Sequence, residues 1–327
     1  MISILNLEPE GYSPEARGLL ETFGVVSDGP LTRDQLIPQI AQYDALIVRL
    51  AHHIDKEVID SGKNLKVIST ATTGLNHVDV QYAEEKNVCV LSLKDEKNFL
   101  EGIHATAELT WALILSLIRK VSQGAQSVIK GEWDRDSFKG RELHGATLGI
   151  VGFGRIGKKV AKYGRAFGMK VITYTKDPFV QVDEVSLVDS LATLLEKSDI
   201  ISIHVPLDST TRMMFTEKEF DSIKRGALLI NTSRGEVIDE DSLMEAIQSG
   251  FLAGAALDVL NGETALIQKR KSKIIEFARN DDRLIITPHI GGATFESMEK
   301  TEIFMATKMA NFFETELSVV HQPGVDK

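Results

Sequence analysis

The sequence predicts an α/β protein built from two domains, each with a parallel sheet. Three observations support this prediction: the length, an alternation of strands and helices that starts twice, and one glycine-rich turn. At roughly 150 residues per domain, a chain of 327 residues provides for about two domains. Hydrophobic residues make up 43% and charged residues 26%, which are ordinary values for a folded globular protein.

The net charge and the single cysteine restrict the function classes. A formal net charge of −10 repels nucleic-acid phosphates and anionic lipids. Cys89 is the single cysteine and cannot form an intramolecular disulfide, which suits a reducing compartment and excludes a cysteine-based metal site. Its alternating run NVCVLSL predicts a buried strand thiol. No signal peptide or membrane span is recognisable. We therefore expect a cytoplasmic protein that binds no metal, nucleic acid or membrane.

The first half of the chain begins with short apolar runs separated by polar, helix-compatible stretches. The runs are ISILNL, YDALIVRL, LKVISTATTG and VCVLSL. This alternation is typical of parallel strands joined by helices. A single long helix is predicted from Ala105 to Gly131. The polar segment EWDRDSFKGRELHG follows without periodicity, and we interpret it as a connecting or interface arm.

A second series of apolar runs starts after this arm. The runs are LGIVGFG, MKVITY, DIISIHVPL, ALLINTS, GAALDV and RLIITPHIGG. The segment from Phe295 to about Leu317 has helical apolar spacing and predicts a terminal helix. If this helix packs on the first domain, that domain is discontinuous and the second is inserted into it. The chain stops soon after the helix, so we expect no appended regulatory domain.

The run LGIVGFGRIG places Gly152, Gly154 and Gly157 between a strand and a helix. In such a GxGxxG turn the first glycine permits the tight turn, the second lets the backbone approach a pyrophosphate, and the third lets the helix pack on the strand. The helix N-terminus adds N–H groups and a positive dipole. The strand before the turn, and the helix and strand after it, make the pattern far more specific than three glycines alone. It predicts a dinucleotide site.

The end of the next strand bears on the choice between NAD and NADP. An acid roughly 20 residues beyond the glycines hydrogen-bonds to the ribose of NAD. Here the strand ends in Tyr174, Thr175, Lys176 and Asp177. Asp177 can reach the ribose of NAD, or Thr175 and Lys176 can surround the 2′-phosphate of NADP. We expect NAD, and NADP stays open.

Polar side chains follow three later strands of the second series. Arg234 follows LLINTS, Asp258 and Glu263 follow GAAL, and His289 follows IITP. The carboxyl ends of parallel strands are where ligands bind in open α/β sheets. An arginine there can bind a substrate carboxylate bidentately, a histidine can exchange an alcohol proton, and a carboxylate can hold the imidazole in one tautomer. Beside a nicotinamide, this set predicts a 2-hydroxy acid dehydrogenase.

The motifs, in this order, resemble the D-isomer-specific 2-hydroxyacid dehydrogenase family, in particular its D-3-phosphoglycerate dehydrogenase-like members. The resemblance covers essentially the whole chain and rests on ATTGLNHVDV, ATAEL, GRELHGATLGIVGFGRIG, HVPLDSTTRMMF, LLINTSRGEVIDEDSL, GAALDV and TPHIGGAT. It implies two doubly wound domains, Rossmann-like or flavodoxin-like. A substrate domain would comprise 1–102 plus 293–327, and an NAD(P)-binding Rossmann domain 103–292. It also implies a homodimer formed through the cofactor domain, which gives the polar arm a role.

The resemblance implies roles for single residues as well. Arg234 would anchor the substrate and its carbonyl, Glu263 would partner the histidine, and His289 would be the general acid/base. Asp258 would hold the carboxamide of the nicotinamide. Together with the glycine turn, the residues assigned to the cofactor are Gly152, Gly154, Arg155, Ile156, Gly157, Thr175, Asp177, His204, Val205, Pro206, Thr211, Thr232, Arg234, Asp258, His289 and Gly291. Those assigned to the substrate are Arg49 and the backbone of Thr73, Gly74 and Leu75.

One segment departs from the family pattern. Between Glu263 and His289 the chain is longer by several residues and rich in basic side chains. A solvated surface helix is one interpretation. In the other, Lys269, Arg270 or Lys271 attracts an anionic group of the substrate.

The expected activity is hydride transfer between a nicotinamide and C2 of a small D-2-hydroxy acid or 2-oxo acid, with a phosphoglycerate-type substrate among the candidates. The alternative from another class is an NAD(H)-sensing, non-catalytic co-repressor-like binding protein. Glu263 weighs against formate oxidation, since relatives that oxidise formate carry glutamine there.

Overall fold

The computed structural model describes residues 1–29, 31–177, 184–263 and 272–320. The chain divides into two compact units, Met1–Ile103 with Ala293–Lys327, and His104–Gly292. The basic residues Lys269, Arg270 and Lys271 lie outside the described residues. Within the described ranges, no helix has both the length and the apolar character needed to cross a membrane.

The first unit is built on a parallel sheet. Its strands are β1 Ile2–Asn6, β2 Gly24–Asp28, β3 Ala45–Ile47, β4 Val67–Ser69 and β5 Cys89–Leu91, and its helices before the second unit are α1 Pro14–Glu21, α2 Arg33–Gln39, α3 Lys56–Ser61, α4 Val80–Glu85 and α5 Lys97–Leu100. The strand order is β2-β1-β3-β4-β5, with every pairing parallel. This is the flavodoxin-like order, which reverses direction between β1 and β3.

The second unit is built on a larger parallel sheet. Its helices are α6 Ala105–Arg119, α7 Val121–Ile129, α8 Arg155–Ala166, α9 Leu191–Lys197, α10 Glu217–Asp221, α11 Glu240–Gln248 and α12 Lys273–Asn280. Its strands are β6 Thr147–Val151, β7 Lys170–Tyr174, β8 Ser186–Leu187, β9 Ile200–Ile203, β10 Ala227–Asn231, β11 Leu252–Leu257 and β12 Leu284–Ile286. The order is β12-β11-β10-β9-β6-β7-β8, which is the dinucleotide-binding order with one further strand at the edge.

Helix α13, Phe295–Val320, returns to the first unit. Met305, Met309 and Phe313 are buried on the same apolar core as Ile4 of β1. The backbone N–H of Ser13 also donates to Glu302 on this helix, at 2.7 Å. The first unit is therefore assembled from both ends of the chain, and the second unit is inserted into it, as the predicted fold class requires.

Several helices begin where the local sequence supplies a capping side chain. Ser13, Asp55, Asp79, Ser190 and Asp239 each accept a hydrogen bond from a backbone N–H in the first turn of the following helix. Such caps satisfy donors that the helix itself leaves unpaired. They explain why these helices start at residues with little apolar character.

The structure corrects three sequence-based expectations. The single helix from Ala105 to Gly131 is wrong, because Lys120 adopts a left-handed conformation with φ +52° and separates α6 from α7. Strands β2 and β8 were not anticipated, because both lie at sheet edges and lack a continuously buried apolar run. Cys89 does lie in a strand, but it is half-buried rather than buried.

Candidate active site

Three neighbouring strands present the predicted polar residues at one edge of the second sheet. Strands β10, β11 and β12 pair side by side and in parallel. Arg234 follows β10, Asp258 follows β11 and His289 follows β12. Because the strands are parallel, their carboxyl ends lie together, and this edge is where open α/β sheets bind ligands.

An imidazole and a carboxylate meet at this edge. Nδ1 of His289 lies 2.7 Å from Oε1 of Glu263. An ionised carboxylate only accepts hydrogen bonds, so Nδ1 carries the proton and Nε2 is the nitrogen left to exchange one with a ligand. His289 has a left-handed backbone with φ +54°, which is uncommon for a residue other than glycine and occurs preferentially at functional sites.

Asp258 holds the backbone on which His289 sits. Its Oδ1 accepts hydrogen bonds from the hydroxyl of Thr287 at 2.6 Å and from the N–H of Ile290 at 2.8 Å. Its Oδ2 accepts from the N–H of Gly291 at 2.7 Å. Burial raises the pKa of Asp258, and these hydrogen bonds offset part of the rise. The Asp258 carboxylate thus fixes residues on both sides of His289.

Arg234 lies at the same edge, within the electrostatic influence of two carboxylates. Its Nη1 donates to the carbonyl oxygen of Ser233 at 2.6 Å. Burial lowers the pKa of the guanidinium, whereas the negative charges of Glu263 and Glu236 raise it. An arginine stays protonated under such conditions. Glu263 therefore interacts with both His289 and Arg234 and joins the three predicted residues into one site.

The glycine turn forms one wall of a cavity of about 300 Å³ in the second unit. Gly152 has φ +92°, and a Cβ at this position would lie 2.6 Å from the carbonyl oxygen of His204. Helix α8 begins at Arg155, and its N-cap residue, Gly154, supplies no capping side chain. Arg155, Ile156 and Gly157 lie in its first turn, where helical N–H groups attract anions.

The cavity lining contains further predicted cofactor residues besides the glycines. The residues shared between the prediction and the cavity lining are Gly152, Gly154, Thr175, Asp177, His204, Val205, Pro206 and Thr211. Lys176 and Asp208 also line it. The hydroxyl of Thr211 donates to the carbonyl oxygen of Pro206 at 2.6 Å. The cavity therefore brings together the strand ends of β6, β7 and β9.

His204 presents a hydrogen-bonding atom without a partner among the described residues. Its Nε2 lies 2.7 Å from the hydroxyl of Ser202, whereas its buried Nδ1 meets no partner. Burial lowers the pKa of His204 to about 3, so the ring is neutral at neutral pH. A buried polar atom in a cavity wall is costly unless it is paired. The residues present fit a dinucleotide, because Gly152 leaves room for the close turn and the N-terminus of α8 beside it attracts a pyrophosphate.

Eight predicted cofactor residues lie outside the cavity lining. Three are in the first turn of α8 and three are the polar residues after β10, β11 and β12 described above; the other two are Thr232 and Gly291. Thr232 is buried, and its hydroxyl lies 2.9 Å from that of Thr110 on α6. A Cβ at Gly291 would lie 3.0 Å from Oδ2 of Asp258. Both residues belong to the strand ends that carry Arg234 and His289.

In the first unit, the loop after β4 offers backbone donors. Within the described part of the chain, the N–H groups of Thr73, Gly74 and Leu75 meet no acceptor. A hydrogen bond stabilises the loop, since the hydroxyl of Thr72 donates to the carbonyl oxygen of Gly74 at 2.8 Å. Consecutive unpaired N–H groups make a concave site for an anion.

Arg49 follows β3, next to the reversal of strand order in the first unit. Its Nη2 donates to the carbonyl oxygens of Glu8 and Glu10, at 2.8 and 3.0 Å. Its Nη1 lies 3.5 Å from Oε1 of Glu302. The guanidinium is thus engaged by its own unit, which sequence reasoning did not anticipate.

Two further buried residues beside the predicted substrate residues were not identified from the sequence. His77 is buried, with Nε2 3.2 Å from the hydroxyl of Thr70 at the start of the 73–75 loop. Glu302 is buried on the terminal helix beside Arg49. Both lie in helical or loop segments whose pattern also suits a solvated surface, so the sequence held no signal for them.

The second unit is a doubly wound domain with a glycine turn, a cavity at its strand ends and an imidazole–carboxylate pair. Together these features define a domain that binds a nicotinamide dinucleotide. A comparison with family models agrees, since residues 111–291 match the D-isomer specific 2-hydroxyacid dehydrogenase, NAD binding domain. The chain belongs to this family, and its second unit contains the family's NAD-binding domain.

Relatives and solved structures cover nearly the whole chain. The D-3-phosphoglycerate dehydrogenase of Methanocaldococcus jannaschii is 35% identical, and the match covers 99% of this chain. The chain spans only 60% of the length of that relative. The hydroxypyruvate reductase of Thermotoga maritima is 38% identical over 87% of this chain and 89% of its own. The crystal structure of D-lactate dehydrogenase from Aquifex aeolicus, complexed with NAD and lactic acid, is 30% identical with a TM-score of 0.83, covering 97% of this chain and 96% of that one.

Proposed function

We propose that the protein is an NAD-dependent oxidoreductase that transfers a hydride between the nicotinamide and C2 of a small D-2-hydroxy acid or 2-oxo acid. The observation that carries the proposal is the 2.7 Å contact between His289 and Glu263, at the same sheet edge as Arg234. The enzyme names of the relatives support it. They give no support to the alternative of a non-catalytic NAD(H) sensor.

The mechanism follows from what each side chain can do. A bound nicotinamide would supply the hydride to C2 of the 2-oxo acid, or accept it from C2 of the 2-hydroxy acid. Arg234 holds the substrate and polarises its carbonyl through charge-assisted hydrogen bonds. In the reducing direction, protonated His289 gives the proton on Nε2 to the carbonyl oxygen, and in the oxidising direction Nε2 takes it back from the hydroxyl. Glu263 keeps the other proton on Nδ1, so the ring returns to the same tautomer after each turnover.

The cofactor is held by the second unit in this proposal. The glycine turn and the first turn of α8 would receive the pyrophosphate, and the cavity lined by His204, Val205, Pro206 and Thr211 would receive the adenosine part. Thr232, Asp258 and Gly291 would border the nicotinamide. Since Asp258 already accepts three hydrogen bonds from the 287–291 segment, it acts on the nicotinamide mainly by fixing this backbone.

We assign the substrate to a domain formed by 1–102 plus 293–327, which falls in the first unit, and the cofactor to a domain formed by 103–292. The donors of the 73–75 loop support the first assignment, because they can receive a substrate carboxylate. Arg49 lies at the strand-order reversal of the first unit, where ligands bind in such sheets. Its hydrogen bonds to Glu8 and Glu10 would orient its guanidinium toward an anionic group.

The test is a coupled assay of NADH oxidation with glyoxylate, hydroxypyruvate, pyruvate, 3-phosphohydroxypyruvate and branched 2-oxo acids. We expect at least one of them to be reduced, and the D-2-hydroxy acid to be the product. We also expect NADH to have a higher kcat/KM than NADPH, because the Asp177 carboxylate on the cavity wall repels a 2′-phosphate. Normal NADH binding without turnover of any 2-oxo acid would favour the sensor instead. A higher kcat/KM for NADPH would assign Thr175 and Lys176 to the phosphate.

The protein forms a homodimer through the second unit in this proposal. Helix α7 and the polar arm expose large apolar side chains: Val121 54%, Val128 52%, Ile129 77% and Trp133 88%. A cluster of exposed apolar residues of this kind marks a protein interface. The resemblance to the family, which implies dimerisation through the cofactor domain, points to a second copy as the occupant.

Replacing Ile129 and Trp133 together by glutamate is expected to convert the dimer into a monomer, because two charges would be buried without partners. Light scattering after size-exclusion chromatography measures the mass. Phe295→Glu is the matched control, since this aromatic is 93% exposed at the start of α13, outside the patch. A double variant that stays dimeric would place the interface elsewhere.

We propose a cytoplasmic location for the protein. The single cysteine and a nicotinamide-dependent chemistry support this location. Fractionation of cells expressing the full chain tests it, and recovery in a membrane or secreted fraction would contradict it.

A further inference from the structure

The segment that carries Glu263 is held by a residue from another part of the second unit. The backbone N–H of Asn261, two positions before Glu263, donates to Oε1 of Glu240 at 2.7 Å. Glu240 is the first residue of α11, 21 positions earlier in the chain. The contact therefore links the segment after β11 to the helix that follows β10.

The Glu240 carboxylate is partly desolvated in the first turn of α11. It is half-buried, and burial raises its pKa. The hydrogen bond from Asn261 lowers the pKa, whereas the negative charges of Asp241, Asp239 and Glu236 raise it again. A partly desolvated carboxylate among like charges is costly. The hydrogen bond to Asn261 is the contact that compensates for it.

A second contact fixes the same segment against the residue after Arg234. A Cβ at Gly235 would lie 2.0 Å from the carbonyl carbon of Leu260 and 2.4 Å from the nitrogen of Asn261. The backbone at 260–261 therefore lies directly on Gly235. Gly235 and Glu240 thus restrain the backbone at 260–261, two positions before Glu263.

We propose that Glu240 is a positioning residue whose hydrogen bond to Asn261 places the Glu263 carboxylate on Nδ1 of His289. Glu240 touches neither substrate nor cofactor and acts through the backbone of 261–263. The effect on turnover rests on the function proposed above, whereas the effect on the His289–Glu263 contact does not. A displacement of about 1 Å in a catalytic group can lower a rate by up to roughly a hundredfold, so a single backbone anchor can matter.

The kinetic test compares three variants. Glu240→Ala removes the acceptor, and kcat is expected to fall roughly ten- to a hundredfold, with KM for the 2-oxo acid and NADH binding nearly unchanged. Glu240→Gln keeps an oxygen at the same position and is expected to restore most of kcat. Asp241→Ala is the matched control, because it removes a neighbouring carboxylate that pairs with Lys273 and does not bond to Asn261.

The second readout is the proton NMR signal of Nδ1–H of His289, assigned by its loss in His289→Ala. A proton shared with a carboxylate resonates at low field. We expect this signal in the wild type, Glu240→Gln and Asp241→Ala, and its loss or upfield shift in Glu240→Ala. This readout needs no turnover, so it tests the positioning role even if no 2-oxo acid is reduced.

Two outcomes would overturn the inference. One is a Glu240→Ala protein with unchanged kcat and an unchanged Nδ1–H signal. The other is an equal loss in Glu240→Ala and Glu240→Gln, which would mean that the charge rather than the acceptor matters. If Glu240→Ala does not fold, Glu240→Asp withdraws the carboxylate by one methylene while keeping its charge. The same loss of kcat and of the NMR signal is then expected.

Discussion

Replacing His289 by alanine is expected to lower kcat by about 10²–10⁴-fold, the range for a lost general acid/base. The reason is the 2.7 Å contact with Glu263, which commits Nδ1 and leaves Nε2 as the proton donor. NADH binding should change little, because the cavity is lined by other residues. Steady-state kinetics with the best 2-oxo acid and a fluorescence titration with NADH measure the two effects separately.

The control for this variant is His144→Ala, which removes an exposed histidine of the same unit. It should keep the wild-type kcat. A His289→Ala protein with near-normal turnover would show that the proton reaches the substrate from another group, and the mechanism proposed for the Glu263–His289 pair would be wrong.

Replacing Arg234 by alanine is expected to raise KM for the 2-oxo acid and to lower kcat. Arg234 binds the substrate before the reaction and polarises its carbonyl during it, so both constants should respond. Hydrogen bonds to a charged group contribute about 1.5–3 kcal/mol, which corresponds to roughly a ten- to hundredfold change in KM. The loss should be visible in kcat/KM at any fixed pH at which the wild type is active.

Arg234→Lys separates charge from geometry, since lysine keeps the positive charge without the planar fork that binds a carboxylate bidentately. The kcat/KM of Arg234→Lys for the 2-oxo acid should lie between those of the wild type and Arg234→Ala. Arg225→Ala, at an exposed arginine that packs on Phe251, is the control and should be unaffected. An Arg234→Ala protein with an unchanged KM would place the substrate anchor elsewhere.

Local sequence patterns were sufficient for much of the fold. The apolar runs predicted the central strands, and the glycine spacing of 152, 154 and 157 predicted the turn between β6 and α8. Edge strands β2 and β8 were missed because an edge needs no continuous apolar run. The break at Lys120 was missed because a left-handed lysine leaves no mark in helical periodicity.

The sequence by itself determined the class of fold and the dinucleotide turn, since both follow from residues close together in the chain. It also predicted Arg234, Glu263 and His289 as the catalytic residues. Only the tertiary structure decided which atoms meet: Glu263 on Nδ1 of His289, Asp258 beneath the 287–291 segment, and Glu240 on Asn261. These contacts join segments that follow different strands. Their geometry depends on strand order and on the path of loops, which periodicity and spacing leave open.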